Sequence, residues 1–365
     1  MKRTKKEKTK KEKKPVNMKR RIVVLCVALA VIALLVRMAG GMFSGEYDAP
    51  QVTGSLNVQT ALYTWTDESR EETFKSDGSK RSVTVKMFYP EEEGSYPLVV
   101  FSHGAFGVID SNYSTCMELA SNGYVVASIA HPYHAMFVED AQGKVTIVNM
   151  DFFMKSLNSA EMTEQEAYDF SCGFMQVRTG DMQFVLDTIL GKAAEGEAPF
   201  AMIDAEHIGL FGHSMGGATS VHVGRLRSDI DAVIDLEGTM FGEYTGIENG
   251  MPAYLDDAYT VPVLDVNSRA VREEIDAQTA ANPGYIYAND HLAQHALDYR
   301  EVIFEDAGHL NFTDLPLIAP ALGNLLGVGS VDAKACMENV NAVVLTFFNA
   351  HLKGVGSADA IAAQY

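Results

Sequence analysis

Leu210-Phe211-Gly212-His213-Ser214-Met215-Gly216-Gly217 places a serine at the centre of Gly-x-Ser-x-Gly. Ahead of it, His207 to Phe211 reads as a short buried strand; behind it, Ala218-Thr219-Ser220-Val221-His222-Val223 continues as a helix. A chain that turns from strand to helix within about one residue holds the intervening serine under backbone strain and exposes its hydroxyl. Glycines two positions before and two after leave room for that turn, since a side chain at either would meet the neighbouring strand or helix. Glycine and serine also gather in ordinary loops, so the strand-before, helix-after context carries the reading of Ser214 as a nucleophile.

Working outward, strand and helix signals alternate. Val83 to Tyr89, Tyr96 to Phe101, Tyr124 to Ala130, Ala232 to Leu236, Val261 to Val266 and Glu301 to Phe304 read as strands. Tyr113 to Ser121, Gln176 to Leu190, Ser214 to Arg225 and Cys336 to Leu352 carry helical spacing. Short Val/Ile/Leu runs separated by helices indicate an α/β fold, with a mostly parallel central sheet covered on both faces. Catalytic groups belong at the C-terminal ends of such strands. Three stretches break the rhythm, at 134–175, 241–257 and 312–335, and are expected as lid-like insertions. The last holds Leu315-Pro316-Leu317-Ile318, which suits either an acyl-facing wall or a helix packed on the core.

A serine hydroxyl needs a base in hydrogen-bond reach and a carboxylate to orient that base. In the serine-hydrolase version of this fold the order is Ser, acid, His. Among ten histidines, His291, His295, His309 and His351 follow the elbow and the next strand. His291 and His295, four apart on a helix, could in principle clamp a metal, but a solvated helix face is the preferred account of the spacing, and no metal site is expected. His351 sits near the end of the closing helix. His309 stands just past the last strand, in Asp306-Ala307-Gly308-His309-Leu310-Asn311-Phe312, where the base is required.

Three acids compete. Glu237 ends the strand after the elbow helix, with Gly238 expected to let the chain turn away at once; Asp235 and Asp265 are the alternatives. An oxyanion needs two backbone N–H groups. Met215, opening the elbow helix, and Ala105, after Ser102-His103-Gly104, are the candidates, with His103 as a brace for that loop.

The 365 residues, 47% of them hydrophobic, suffice for one large core, and the net charge is −19. Nine lysines and three arginines against two glutamates leave residues 1–21 at +10, so the remaining body carries −29. A body that acidic repels phosphates, which excludes general nucleic-acid binding. Ile22 to Val36 is an uninterrupted apolar run, followed by Arg37 and Met38 to Phe43. With the cations on the cytoplasmic side, a signal-anchor over 22–43 would hold the body at the cell membrane on its outer face; cleavage of the leader would secrete it instead. The expected organisation is a basic leader (1–21), the anchor (22–43), a tether (44–62) and a catalytic domain (63–365). Cys116, Cys172 and Cys336 form no metal motif and allow at most one disulfide within the body.

Several segments together resemble the platelet-activating-factor acetylhydrolase group of α/β hydrolases. They are Phe101-Ser102-His103-Gly104, Gly212 to Gly217, Leu236-Glu237-Gly238-Thr239-Met240-Phe241 and Gly308 to Asp314, linked by Ile129 to Ala135 and Val177 to Asp181. The resemblance covers about residues 85 to 355. It implies Ser214 as nucleophile, His309 as base and the residue before Gly238 as acid; much of the group has Asp where this chain has Glu237. It further implies hydrolysis of carboxylic esters, with short or oxidised acyl chains of phospholipids as one substrate class, and no metal or other cofactor. Lipase, polyester hydrolase and peptidase activities share that machinery. An inactive hydrolase domain serving as a surface binding module is the non-enzymatic alternative.

Overall fold

A computed structural model describes residues 47–365. Among the described residues, twelve strands run β1 (Val58–Glu71), β2 (Lys80–Pro90), β3 (Tyr96–Ser102), β4 (Val125–Ile129), β5 (Phe137–Glu139), β6 (Val145–Ile147), β7 (Ile203–His213), β8 (Ala232–Leu236), β9 (Tyr244–Glu248), β10 (Met251–Tyr254), β11 (Val263–Ser268) and β12 (Tyr299–Phe304). Eight of them form one sheet in the order β1-β2-β4-β3-β7-β8-β11-β12. The β1/β2 and β2/β4 pairings are antiparallel and every other pairing in this sheet is parallel.

Residues alternate across this sheet with a period of two, so each strand feeds two cores. In β3, Val99 and Phe101 face one core, closed by the helices Tyr113–Ser121 and Ala333–Leu352. Leu98 and Val100 face the other, closed by Met182, Val185, Leu186 and Ile189 of the helix Glu164–Ala194 and by Val221 and Val223 of the elbow helix Met215–Leu226. Burial on both faces explains why these strands are continuous apolar runs.

β1 was not expected. Its first residues, 58–62, fall inside the segment read as a tether, and Thr53 upstream already donates its amide to Glu118 at 2.8 Å. β1 is an edge strand with half of its residues exposed, so its sequence is largely polar and carries no apolar run. It is held instead by pairing with β2 and by Tyr63 and Trp65 packing on Phe200. The long helix also starts earlier than Gln176. A capping box between Thr163 and Glu166 satisfies its first amides and lets it run from Glu164 through Gly173.

The three interruptions carry short elements. The first holds the β5–β6 hairpin and the helix Met150–Leu157, the second the β9–β10 hairpin, and the third the helices Leu315–Ile318 and Pro320–Leu326. Cys116 and Cys336 are buried free thiols and Cys172 is an exposed one. The expected signal-anchor lies outside the described residues; among those described, no helix is long and apolar enough to cross a membrane.

Candidate active site

Ser214 sits between β7 and the elbow helix with φ +54° and ψ −123°. A non-glycine residue tolerates this region only where its surroundings enforce it. Here they do: a Cβ at Gly212 would come within 2.2 Å of the Gly216 carbonyl carbon, and one at Gly216 within 1.9 Å of the Ser102 carbonyl oxygen. The two glycines flanking the serine therefore let the strand, the turn and the loop after Ser102 approach more closely than any side chain would allow.

Glu237 follows β8 and is also left-handed, at φ +57°. The turn is made by Glu237 itself, not by Gly238. Gly238 supplies space, since a Cβ there would stand 2.3 Å from the Ser214 carbonyl oxygen. The bend swings the Glu237 carboxylate off the strand direction. Its Oε1 accepts the Ser268 N–H at 2.7 Å and its Oε2 meets His309 Nδ1 at 2.6 Å. Only 7% of Glu237 is exposed, against 42% of the His309 side chain. A buried carboxylate thus holds a reachable imidazole with Nδ1 protonated, leaving Nε2 as the free base.

The other two acids lie deeper and do not reach the histidine. Asp235 Oδ1 accepts the Gly238 N–H at 2.8 Å, and Asp265 Oδ2 accepts from Tyr299 and Asn289 at 2.5 and 3.1 Å. Burial, reinforced by their mutual repulsion, raises Asp235 well above the usual carboxylate range; burial raises Asp265 to about 6.

His309 is carried by the loop after β12. Asn311 Oδ1 gathers the Gly308 and Gly329 amides at 2.9 and 2.7 Å, which fixes the loop. His213, one residue before the serine, ties that loop to the elbow: its Nε2 lies 2.9 Å from the His309 carbonyl oxygen and its ring 4.4 Å from the His309 ring. Burial drives the His213 imidazole well below its ordinary pKa, so the neutral ring donates through Nε2. Sequence reading passed over His213 because it occupies a variable position of the motif. The Ser214 hydroxyl makes no hydrogen bond to His309. Such contacts commonly close only when substrate is bound.

Met215 opens the elbow helix, where an N–H has no intrahelical acceptor. Gly104 packs against Ser214, with a Cβ there placed 3.2 Å from Ser214 Cβ. The Gly104 carbonyl accepts from Arg178 Nη2 at 3.1 Å and from Gly107 N–H at 3.2 Å, and His103 Nδ1 lies 2.6 Å away. The Gly104–Ala105 peptide is not among the cis bonds, so its C=O and N–H point in opposite directions. Fixing the carbonyl toward Arg178 therefore fixes the Ala105 N–H away from it.

Arg178 was not singled out from sequence, yet it is fully buried and also donates to the His103 carbonyl. Burial lowers its pKa to about 9. Behind it stands a charged network. Asp181 accepts from Arg81 Nη2 at 2.7 Å and from Arg70 at 2.9 Å, and lies 3.0 Å from His131 Nδ1. His131 Nε2 in turn lies 2.9 Å from Ser102 Oγ. The signal for this network was a charged residue on the buried stripe of a helix, Arg178 lying between Met175 and Met182.

Beside Ala105 and Met215, an apolar wall gathers Phe106, Phe152, Phe153, Phe170, Phe174 and Phe241. A cleft of about 390 Å³ shares Phe241 with this wall and continues along Tyr168, Tyr244 and Met251.

Residues 78–359 match the family model of platelet-activating factor acetylhydrolase, isoform II. The chain belongs to that family. It is 22% identical over 284 residues to the platelet-activating factor acetylhydrolase of Cavia porcellus, covering 74% of this chain and 61% of that protein. With the Gallus gallus acetylhydrolase it shares 24% over 306 residues, 73% of this chain and 64% of the relative. The match spans about three-fifths of these curated relatives' length. A ferulic acid esterase from Streptomyces cinnamoneus superposes with a TM-score of 0.65 at 23% identity, over 84% of this chain and 93% of its own, and so shares the fold.

Proposed function

We propose that this chain is a serine-dependent carboxylic ester hydrolase. The observation that carries the reading is the His309–Glu237 bond of 2.6 Å beside a serine held at φ +54°. In the first half-reaction Ser214 Oγ attacks the ester carbonyl while His309 Nε2 takes its proton. Glu237 stabilises the imidazolium through Nδ1–H, and the Met215 and Ala105 amides receive the oxyanion. His309 returns the proton to the departing alcohol, leaving an acyl group on Ser214. A water deprotonated by His309 then attacks the acyl carbonyl, and the acid leaves as Oγ recovers its proton.

The phenylalanine wall favours esters with an apolar or aromatic group next to the reacting carbonyl. Short-chain acyl esters are the proposed substrates, phospholipid acyl groups among them. The basic leader and apolar run of the sequence are the ground for placing the enzyme at the cell membrane, with its body outside the cytoplasm.

The test is Ser214→Ala, assayed with a fluorophosphonate probe and a chain-length series of esters alongside an amide. Labelling should vanish and kcat should fall roughly 10⁴- to 10⁶-fold with the fold retained. A wild-type chain that resists the probe would make it an inactive binding module, and turnover of amides over esters would make it a peptidase.

A further inference from the structure

Helix Ala288–His295 presents His291 and His295 one turn apart, and their face is not the solvated one its spacing suggested. His291 is 8% exposed and its ring stacks on Tyr254 at 4.7 Å on one side and on His295 at 4.4 Å on the other. Facing both is Asp256, from the segment that follows β10. Its Oδ1 lies 3.3 Å from His291 Nε2 and 3.9 Å from His295 Nε2, and one ligand atom from each residue lies within 4.8 Å of the others.

We infer that Asp256, His291 and His295 form a binding site for one divalent first-row transition-metal ion of the zinc type. Zinc bonded at about 2.0–2.1 Å in a tetrahedron sets its ligand atoms about 3.3 Å apart, and the Asp256–His291 spacing already has that value. The tautomer of His295 is fixed: its Nδ1 lies 2.8 Å from the His291 carbonyl oxygen, so Nδ1–H donates there and Nε2 keeps its lone pair. His291 Nδ1 is buried without a partner, so binding at Nε2 leaves the ring's proton on an unpaired nitrogen, a cost that the metal–nitrogen bond must offset. Two imidazoles are borderline donors that favour zinc over calcium or magnesium, and zinc accepts one carboxylate beside them. The exposed side of Asp256 leaves room for water as fourth ligand.

The ligands are also preassembled. Tyr259 N–H donates to the His295 carbonyl at 3.0 Å, and Leu297 N–H returns to the Tyr259 carbonyl at 3.0 Å, so the Asp256 segment is laced to the end of the helix. Arg225, which reaches the Asp257 and Ala258 carbonyls from the elbow helix, is paired with Glu243. A bound ion would cross-link the β9–β10 insertion to the helix whose Asn289 holds Gly238 and Met240, at 2.9 and 3.0 Å, beside Glu237. It is a structural clamp on the cleft wall, and it stands whether or not Ser214 reacts.

The experiment titrates zinc chloride into the full chain by calorimetry, with thermal melts in parallel. Wild type should bind one ion per chain, and zinc at about 100 times its Kd should raise Tm by roughly 5 °C, reversed by EDTA. Asp256→Asn, at an exposed position, and His295→Ala, at a partly exposed one, should weaken binding at least ~10-fold while melting normally without metal. His309→Ala should bind zinc as wild type does, separating this site from the imidazole beside Ser214. No saturable binding, or equal binding by all the variants, or loss only in His309→Ala, would overturn the proposal.

Discussion

Two sets of serine, histidine and carboxylate occupy opposite sides of the same loop. Ser102, His131 and Asp181 form an unbroken hydrogen-bonded series, at 2.9 and 3.0 Å, and all three are completely buried. Ser214, His309 and Glu237 have only the histidine–carboxylate half bonded, yet the imidazole is 42% exposed and the serine is strained. A relay by itself is therefore not a catalytic site. Access and backbone strain mark the second set, the one on which the proposed function rests. The first, screened by Arg81 and Arg178, holds the loop in place.

The largest effect that could break this contrast is at Glu237. Glu237→Gln keeps the shape but no longer dictates the histidine tautomer, so kcat should fall roughly 10³- to 10⁴-fold with Tm little changed. Steady-state ester hydrolysis and a melt on the same sample check it, and near-normal turnover would return Asp235 and Asp265 to contention. Arg178→Met leaves the His103 carbonyl unpaired in the interior and takes one of its donors from the Gly104 carbonyl. It should cost about 2–3 kcal/mol of stability, and a loosened Ala105 amide should lower kcat roughly 10- to 100-fold with KM nearly unchanged. Urea unfolding and the kcat-against-KM split read the two effects.

Third is pH. Burial, with Arg178 nearby, lowers His131 from 6.5 to about 4. The unfolded chain then takes up a proton between these values that the folded chain refuses, so His131 stabilises the fold above pH ~6.5 and that stability drains away as pH falls toward 4. The loss amounts to about 3 kcal/mol. Urea midpoints from pH 7 to 4.5 should show it, and the slope should flatten in His131→Gln. The smallest effect is at Ser102→Ala, which should remove about 1 kcal/mol and keep activity within roughly tenfold, with full fluorophosphonate labelling of Ser214. Loss of labelling would mean the buried series does more than hold the loop.

What could be read ahead followed from local rules. The parallel strands were legible because burial on both faces makes them apolar runs, and the His309–Glu237 pairing because chain order and loop position leave few partners. β1 was not, because an edge strand with Gln, Thr and Glu on its open side looks like linker. Glu237's own left-handed turn was not, because glycine next door seemed the obvious place for it. The Arg81–Asp181–His131 network was not, because it joins residues up to 100 positions apart whose charges make sense only once buried together. The metal-ligating face of His291 and His295 needed Asp256 from another segment before it meant anything.

The peptide between Gly104 and Ala105 carries one more consequence. A guanidinium on its oxygen draws electron density through the partial double bond and leaves the hydrogen on nitrogen more positive. Negative charge forming on the Ser214 side would meet an amide already polarised from behind. Arg178 can thus lend a share of its cationic field to a reaction it never touches, with a single planar unit as the conductor.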